Sequence, residues 1–292
     1  MNSILDAVRA YNGAANVIYA EGCRKIGSDR SGFGEAMDAV AQADKVLMVI
    51  GEDWDWSGEA ASRTDIGVPG IQSELLKMIA SAGKPVAVVL LNGRPLVLEE
   101  ESKDADAILE AWYPGTMGAE AVTDIVFGQY NPSGKLTMTF PRSVGQIPVF
   151  YYEKNTGRPI YLPNDKYKSK YLDSPNEPLY PFGYGLSYTD FKYSNLILSS
   201  PKMKKGHTID ATVTVTNIGS RTGEETVQLY IRDLIGSVTR PVKQLKGFQK
   251  LVLAPGESRT VTFTIDDEML SFWRHDMTFG IEDGDFKVMV GG

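Results

Sequence analysis

The chain has 292 residues, the usual length of about two domains. Its 30 basic and 37 acidic residues give a net charge of −7, which argues against nucleic acid as the main partner because phosphate binding needs a basic face. The longest apolar runs cover only about a third of a membrane span, no signal-peptide pattern is visible, and one cysteine and two histidines support neither a disulfide framework nor a metal site.

Strand and helix patterns alternate from residue 1 to about 141. Short apolar runs predict strands at 16–20, 45–51, 85–91, 106–112 and 136–140, and helical spacing predicts helices at 3–11, 33–43, 69–82 and 119–128. Strands separated by helices indicate an α/β fold, a three-layer sandwich with a mostly parallel sheet. Because this domain begins on a helix with no strand before it, we expect it to be truncated at its N-terminus.

The second half has a different pattern. Residues 142–190 are rich in Pro, Tyr, Asn and Gly, and their aromatic content predicts an ordered connection. From 191 to 292, strand patterns recur about every ten residues, with clear alternation at 211–215 and 261–265. Seven or so strands at this spacing predict an all-β sandwich of the immunoglobulin or fibronectin type III kind.

The loop after the predicted strand 45–51 is the best candidate site. Ligands of parallel sheets bind beyond the carboxyl ends of the strands, and this loop reads GEDWDWSGEAASRTDIGVPG (51–70). Trp54 and Trp56 can stack on sugar rings, while acids such as Asp53 and Glu59 can bind hydroxyls or do acid/base work. The alternative is a solvated acidic loop whose residues cap the next helix. Phosphate is disfavoured, since no phosphate-binding glycine motif follows a strand.

The neighbouring loops contain further candidates. Arg94, in the turn LNGRP (91–95), either pairs with an acid of the 51–70 loop or is a surface arginine. Trp112 and Tyr113 either line the same cleft or pack in the core. We interpret Cys23 as a buried or incidental thiol and not as a nucleophile, and the absence of GxSxG argues against a serine hydrolase.

Several long motifs carry a family resemblance. They are GEDWDWSGEAASRTDIGVPGIQSELL, AWYPGTMGAEAVTDIVFGQYNPSGKLTMTFPRSVGQIPVFYY, YPFGYGLSYTDF and RPVKQLKGFQKLVLAPGES. Together they resemble the C-terminal portion of glycoside hydrolase family 3 β-glucosidases of the bacterial periplasmic type. The resemblance implies a retaining enzyme that releases terminal non-reducing glucose. It also implies an N-terminal (β/α)₈ barrel that carries an aspartate nucleophile, followed by an α/β sandwich and a fibronectin type III-like domain.

The resemblance also assigns roles within this chain. The family's general acid/base is a glutamate in the SGEAxSR stretch, which is Glu59 here, and Arg63 would orient or charge-balance the loop. No barrel pattern and no nucleophile motif are present, so we expect an incomplete catalytic unit, inactive alone, with no nucleophile in this chain. The expected substrate-binding or supporting residues are Trp54, Trp56, Asp53, Arg63 and Arg94.

The remaining expectations concern partners and location. We expect as partners a β-glucoside or oligosaccharide, the barrel of the parent protein and a second copy of the chain in a homodimer, but no nucleic acid and no membrane. The proposed chemistry requires no metal or organic cofactor, and the parent is expected to be periplasmic or secreted. The alternative function is a non-catalytic carbohydrate-binding or protein-interaction module.

Overall fold

The computed structural model describes residues 2–156, 158 and 166–292, and the chain divides into two compact units. The first, here called the α/β unit, comprises residues 1–130, 140–148 and 178–180. The second, the β unit, comprises residues 131–139, 149–177 and 181–292. The connection predicted at 142–190 therefore contributes to both units, and its residues 157 and 159–165 lie outside the described part.

The α/β unit is built around a parallel sheet, as the alternating pattern predicts. Strand β2 lies between β1 and β3, with Val46 opposite Val86 and Leu90 opposite Glu110. The elements in chain order are α1 (Ile4–Asn12), α2 (Phe33–Gln42), β1 (Val46–Gly51), α3 (Gln72–Ala80), β2 (Val86–Leu91), α4 (Glu101–Asp104), β3 (Ala107–Glu110) and α5 (Gly118–Val126).

The core of this unit forms around β2. Val86, Val88, Val89 and Leu90 are each exposed by at most 1%, because a middle strand has neighbours on both edges and side chains packed on its faces. Helix α3 buries Leu75, Leu76 and Ile79, which recur at helical spacing. Among the described residues, none of the helices has both the length and the apolar character needed to cross a bilayer.

Three local predictions in this half of the chain are wrong. Residues 16–20 form no strand: a short 3₁₀ turn, Ala14–Asn16, is followed by irregular chain. Residues 136–140 are not a strand either, since only Phe140 forms a bridge, to Tyr180. Helix α3 begins at Gln72, so Pro69 precedes the helix instead of occupying its first turn. Short apolar runs are ambiguous in sequence because pairing depends on a neighbouring strand.

The β unit consists of antiparallel strands, which confirms the predicted sandwich. Its two main sheets have the orders β11-β6-β7 and β4-β5-β8, and β9 and β10 form a separate small hairpin. The elements are β4 (Phe191–Leu198), β5 (Ile209–Asn217), β6 (Gly223–Asp233), β7 (Gln244–Leu253), β8 (Ser258–Ile265), α6 (Asp267–Leu270), β9 (Phe272–Trp273), β10 (Phe279–Gly280) and β11 (Phe286–Gly291).

Alternating residues of these strands form one core. Val213 of β5, Leu229 of β6 and Val261 of β8 belong to a single buried cluster, with exposures of 2%, 0% and 3%. Residues from before the strands pack on the same unit: Tyr151 stacks on Phe182 with ring centroids 4.2 Å apart and meets Tyr230 of β6 edge-on at 6.0 Å. The β unit therefore includes residues from before β4, which the strand pattern alone does not indicate.

Candidate active site

Glu52, the first residue after β1, is a buried carboxylate held by two arginines. Its side chain is 0% exposed. Arg63 Nη1 lies 2.6 Å from Glu52 Oε1, and Arg94 Nε lies 3.1 Å from the same oxygen. The backbone N–H of Gly93 donates to Oε2 at 3.3 Å. A buried carboxylate is costly unless it is paired and hydrogen-bonded, and here both conditions are met.

The same two arginines also hold the backbone of the loop. Arg94 Nη2 donates to the carbonyl oxygens of Ala61, at 2.8 Å, and of Trp56. Arg63 Nη2 donates to the carbonyl of Gly67 at 3.1 Å, and its guanidinium lies over the Trp56 ring, 5.2 Å from the centroid. The Glu52 clamp, defined as Glu52 with Arg63 and Arg94, therefore fixes the chain on both sides of residues 57–60.

Glu59 lies in the turn between these fixed points, and its side chain is exposed to solvent. Gly58 and Ala60 on either side have φ values of 111° and 58°. Left-handed backbone is ordinary for glycine but costly for alanine, so the Ala60 conformation requires support from its surroundings. The Arg94 bond to the next carbonyl, that of Ala61, supplies such support.

Asp53 and the two tryptophans form a short 3₁₀ helix at the start of the loop. Asp53 precedes the helix Trp54–Trp56 and accepts from the Trp54 N–H at 2.9 Å. An ion pair with Lys25 lowers the pKa of Asp53, so this carboxyl is ionised and poorly suited to donate a proton. Trp54 is 78% exposed, whereas Trp56 is half-buried against Arg63.

The end of β3 contributes to the same region. The Tyr113 hydroxyl donates to the Asp53 carbonyl at 2.8 Å, which connects this strand end to the loop. Trp112 packs on Phe140 with ring centroids 5.8 Å apart, so it serves the core. Burial raises the pKa of the Tyr113 hydroxyl, and the negative charge of Glu52 raises it further.

Sequence reasoning missed Glu110, the last residue of β3. Burial raises its pKa to about 7, although the Trp112 N–H and the Asn92 side chain oppose the shift. Its position in the sequence could have identified it, because it is an acid that ends an apolar strand at the carboxyl edge of a parallel sheet.

The structure thus groups the predicted residues by what they contact. Trp56, Arg63 and Arg94 meet around Glu52, and Asp53 is anchored beside them. Cys23 is half-buried, and burial raises the pKa of its thiol. Within the described ranges, no group of three or more His, Cys, Asp or Glu side chains is arranged to hold a metal ion.

Comparison with known proteins finds two family matches along the chain. Residues 1–188 match the glycosyl hydrolase family 3 C-terminal domain, and residues 225–292 match the fibronectin type III-like domain. The chain is 52% identical to a periplasmic beta-glucosidase of Salmonella typhimurium over 259 residues, which are 88% of this chain and 34% of that protein. It is 41% identical over 290 residues to a beta-xylosidase of Formosa agariphila, covering 99% of this chain and 39% of that protein.

A solved structure shows the same fold. The beta-glucosidase of Listeria innocua in complex with gluconolactone superposes with a TM-score of 0.88 at 41% identity, covering 92% of this chain and 37% of that one. The chain therefore spans between a third and two-fifths of the length of these similar proteins. Since the C-terminal domain of the family matches well over half of its residues, the chain belongs to glycosyl hydrolase family 3.

Proposed function

We propose that this chain is the C-terminal part of a retaining β-glucosidase and supplies its general acid/base, Glu59. The observation that carries the proposal is the exposed Glu59 carboxyl, which lies in a short turn whose flanking backbone is held by the buried Glu52 clamp. A catalytic acid needs both access to the substrate and a defined position.

The other acids of the loop that have ion-pair or backbone partners serve structure. Glu52 is neutralised by two arginines and Asp53 by Lys25, while Asp65 accepts from the Gly67 N–H at 2.8 Å. Asp55 is exposed like Glu59, but it lies within the 3₁₀ helix and outside the SGEAxSR stretch. It therefore provides a matched control.

The proposed reaction needs a second carboxylate. In a retaining glycosidase the nucleophile attacks the anomeric carbon while the acid protonates the leaving oxygen, and the two carboxyls lie roughly 5–5.5 Å apart. The acid then becomes the base that activates water. We place the nucleophile on the barrel of the longer protein, outside these residues.

Substrate, assembly and location belong to the same proposal. Terminal β-D-glucosyl residues are the proposed substrate class, with Trp54 as an exposed ring available for sugar stacking. The chemistry needs no metal or organic cofactor. We propose a periplasmic location for the parent, because the chain is similar to the periplasmic beta-glucosidase of Salmonella typhimurium. A homodimer stays a prediction, to be tested by sedimentation.

The decisive experiment uses the longer protein and an aryl β-glucoside. Glu59→Gln should lower kcat/KM by roughly 10²–10⁴-fold, the usual contribution of general acid/base catalysis, and Asp55→Asn should change it only a few-fold. Azide should restore turnover of Glu59→Ala and give a glycosyl azide, because the small anion needs no base. The 292-residue chain by itself should show no turnover.

Other results would reject the proposal. Unchanged hydrolysis by Glu59→Gln would show that Glu59 is not the acid/base. Turnover by the isolated chain would show that the nucleophile lies within it. If the longer protein binds saccharides and hydrolyses none of them, the chain belongs to a non-catalytic carbohydrate-binding module.

A further inference from the structure

Glu110 lies at a strained turn that contacts the loop at residues 51–70, here called the acid/base loop. The residue after next, Trp112, has φ of 50°, a left-handed conformation that is costly for a bulky side chain. The Trp112 N–H donates to Glu110 Oε1 at 2.9 Å. The carboxyl of Glu110 thus closes the turn in which the chain leaves β3.

This turn places the next side chain against the loop. Tyr113 follows Trp112 directly, and its hydroxyl donates to the Asp53 carbonyl at 2.8 Å. On the other side of the turn, Trp112 packs on Phe140. A change in the turn at Trp112 would therefore move a contact to the segment that leads to Glu59.

Two buried oxygens near this turn lack hydrogen-bond donors. Asn92, 0% exposed, donates from Nδ2 to the Arg94 carbonyl at 2.7 Å, while its Oδ1 has no partner in the described part of the chain. Glu110 Oε2 is also buried and without a partner there. The Asn92 side chain is close enough to Glu110 to act on its pKa by hydrogen bonding. Leu90, two residues before Asn92, pairs with Glu110 across the sheet, so the two side chains leave neighbouring strand ends. A proton on Glu110 Oε2 that is donated to Asn92 Oδ1 would give each of these buried atoms a partner.

We propose that Glu110 is a positioning residue for the acid/base loop, acting as a neutral acid that donates to Asn92 Oδ1 while its other oxygen holds the Trp112 turn. In this state Asn92 Nδ2 stays on the Arg94 carbonyl, and the Arg94 side chain stays on Glu52 and on the loop. When Glu110 ionises, its carboxylate competes for Asn92 Nδ2. The turn at residues 91–95 then loses the hydrogen bond from Asn92 Nδ2 to the Arg94 carbonyl. Only the consequence for catalysis rests on the proposed function.

Glu110 itself, and not a charged neighbour, is the group expected to change its protonation state near pH 7. Burial raises its pKa to about 7, against the hydrogen bonds from Trp112 and Asn92. The charged groups at the neighbouring strand ends are Glu52 after β1 and Arg94 after β2, which pair with each other. From the loop, Asp53 is paired with Lys25 and Arg63 with Glu52, so these charges largely compensate one another.

The test is NMR of the intact 292-residue chain between pH 5 and 9. The Trp112 backbone amide and the Asn92 side-chain amide should titrate together with a midpoint near pH 7. Glu110→Gln keeps an acceptor for Trp112 and a donor for Asn92, so it should remove this titration and resemble the low-pH wild type. Glu100→Gln, which changes an exposed acid of the same unit, should leave the titration intact.

Two results would overturn the proposal: the absence of an inflection in the wild type, or an inflection that survives Glu110→Gln. Should the variant fail to fold, the ¹³C chemical shift of the Glu110 carboxyl in the wild type reports the protonation of Glu110 directly, and the absence of a midpoint near pH 7 would overturn the proposal. In the longer protein, Glu110→Gln should flatten the limb of the kcat/KM profile near pH 7 and change kcat at pH 6 only a few-fold. Failure of Glu59→Gln to lower activity would reject the proposed function and leave the NMR result standing.

Discussion

Replacement of Glu52 by glutamine should strongly destabilise the α/β unit. The side chain keeps its shape but loses its charge, so Arg63 and Arg94 are left without their common partner. Removing one member of a buried ion pair costs about 3–5 kcal/mol. The two arginine side chains are 18% and 19% exposed, so water compensates in part and we expect about 3 kcal/mol, the lower end of that range. For a unit of this size that corresponds to a fall in Tm of about 10 °C.

Tryptophan fluorescence during urea unfolding measures this effect directly. Of the four tryptophans, Trp54, Trp56 and Trp112 belong to the α/β unit and Trp273 to the β unit. A Trp273→Phe background therefore makes the signal specific for the unit that contains the clamp. Glu59→Gln is the matched control, since it makes the same chemical change at an exposed position in the same loop, and it should shift stability by no more than about 0.5 kcal/mol.

Unfolding of Glu52→Gln and Glu59→Gln at the same urea concentration would contradict the expected role of the Glu52 clamp. That result would mean that the clamp does not hold the loop. The support that we infer for the Glu59 turn would then be absent as well.

Three further predictions concern stability. Burial raises the pKa of Glu110 from its ordinary value of 4.5 to about 7 in the folded state. The protonated side chain therefore contributes to the free energy of unfolding below about pH 4.5, and this contribution is lost as the pH rises through 7. Relative to the wild type, Glu110→Gln should become more stable by up to about 3 kcal/mol between pH 4.5 and 8, as measured by urea unfolding. Leu229→Ala, at a position 0% exposed in the β unit, should cost about 2–5 kcal/mol and lower only the transition followed by Trp273. Asn217→Ala removes donors to the carbonyls of Arg221 and Leu253 and should cost about 2–4 kcal/mol by calorimetry, with equal stability counting against the bonds.

Much of the fold could be predicted from local pattern. Continuously apolar runs identified β1 and β2. The run fits β2 best, because β2 is the middle strand and is buried on both faces, whereas β1 lies at the sheet edge and exposes Val49. Strict alternation identified β5 and β8, whose inward side chains form the core of the β unit. The segment containing Glu59 was recognisable because its motif is long and local in sequence.

Other features depend on contacts between distant parts of the chain. The runs at 16–20 and 136–140 are as apolar as real strands but have no continuous strand ladder to join. Glu52 and Glu59 are the same residue type seven positions apart, yet arginines from positions 63 and 94 make one a buried anchor and leave the other exposed.

The sequence by itself determined the family, the order of most elements and the loop that carries the candidate acid, because these depend on motif and periodicity. Only the tertiary structure decided which acids are paired and which are exposed, and that burial raises the pKa of Glu110 to about 7. The physical reason is that the charge state and the role of a carboxyl depend on its desolvation and its neighbours, which folding brings together from remote positions.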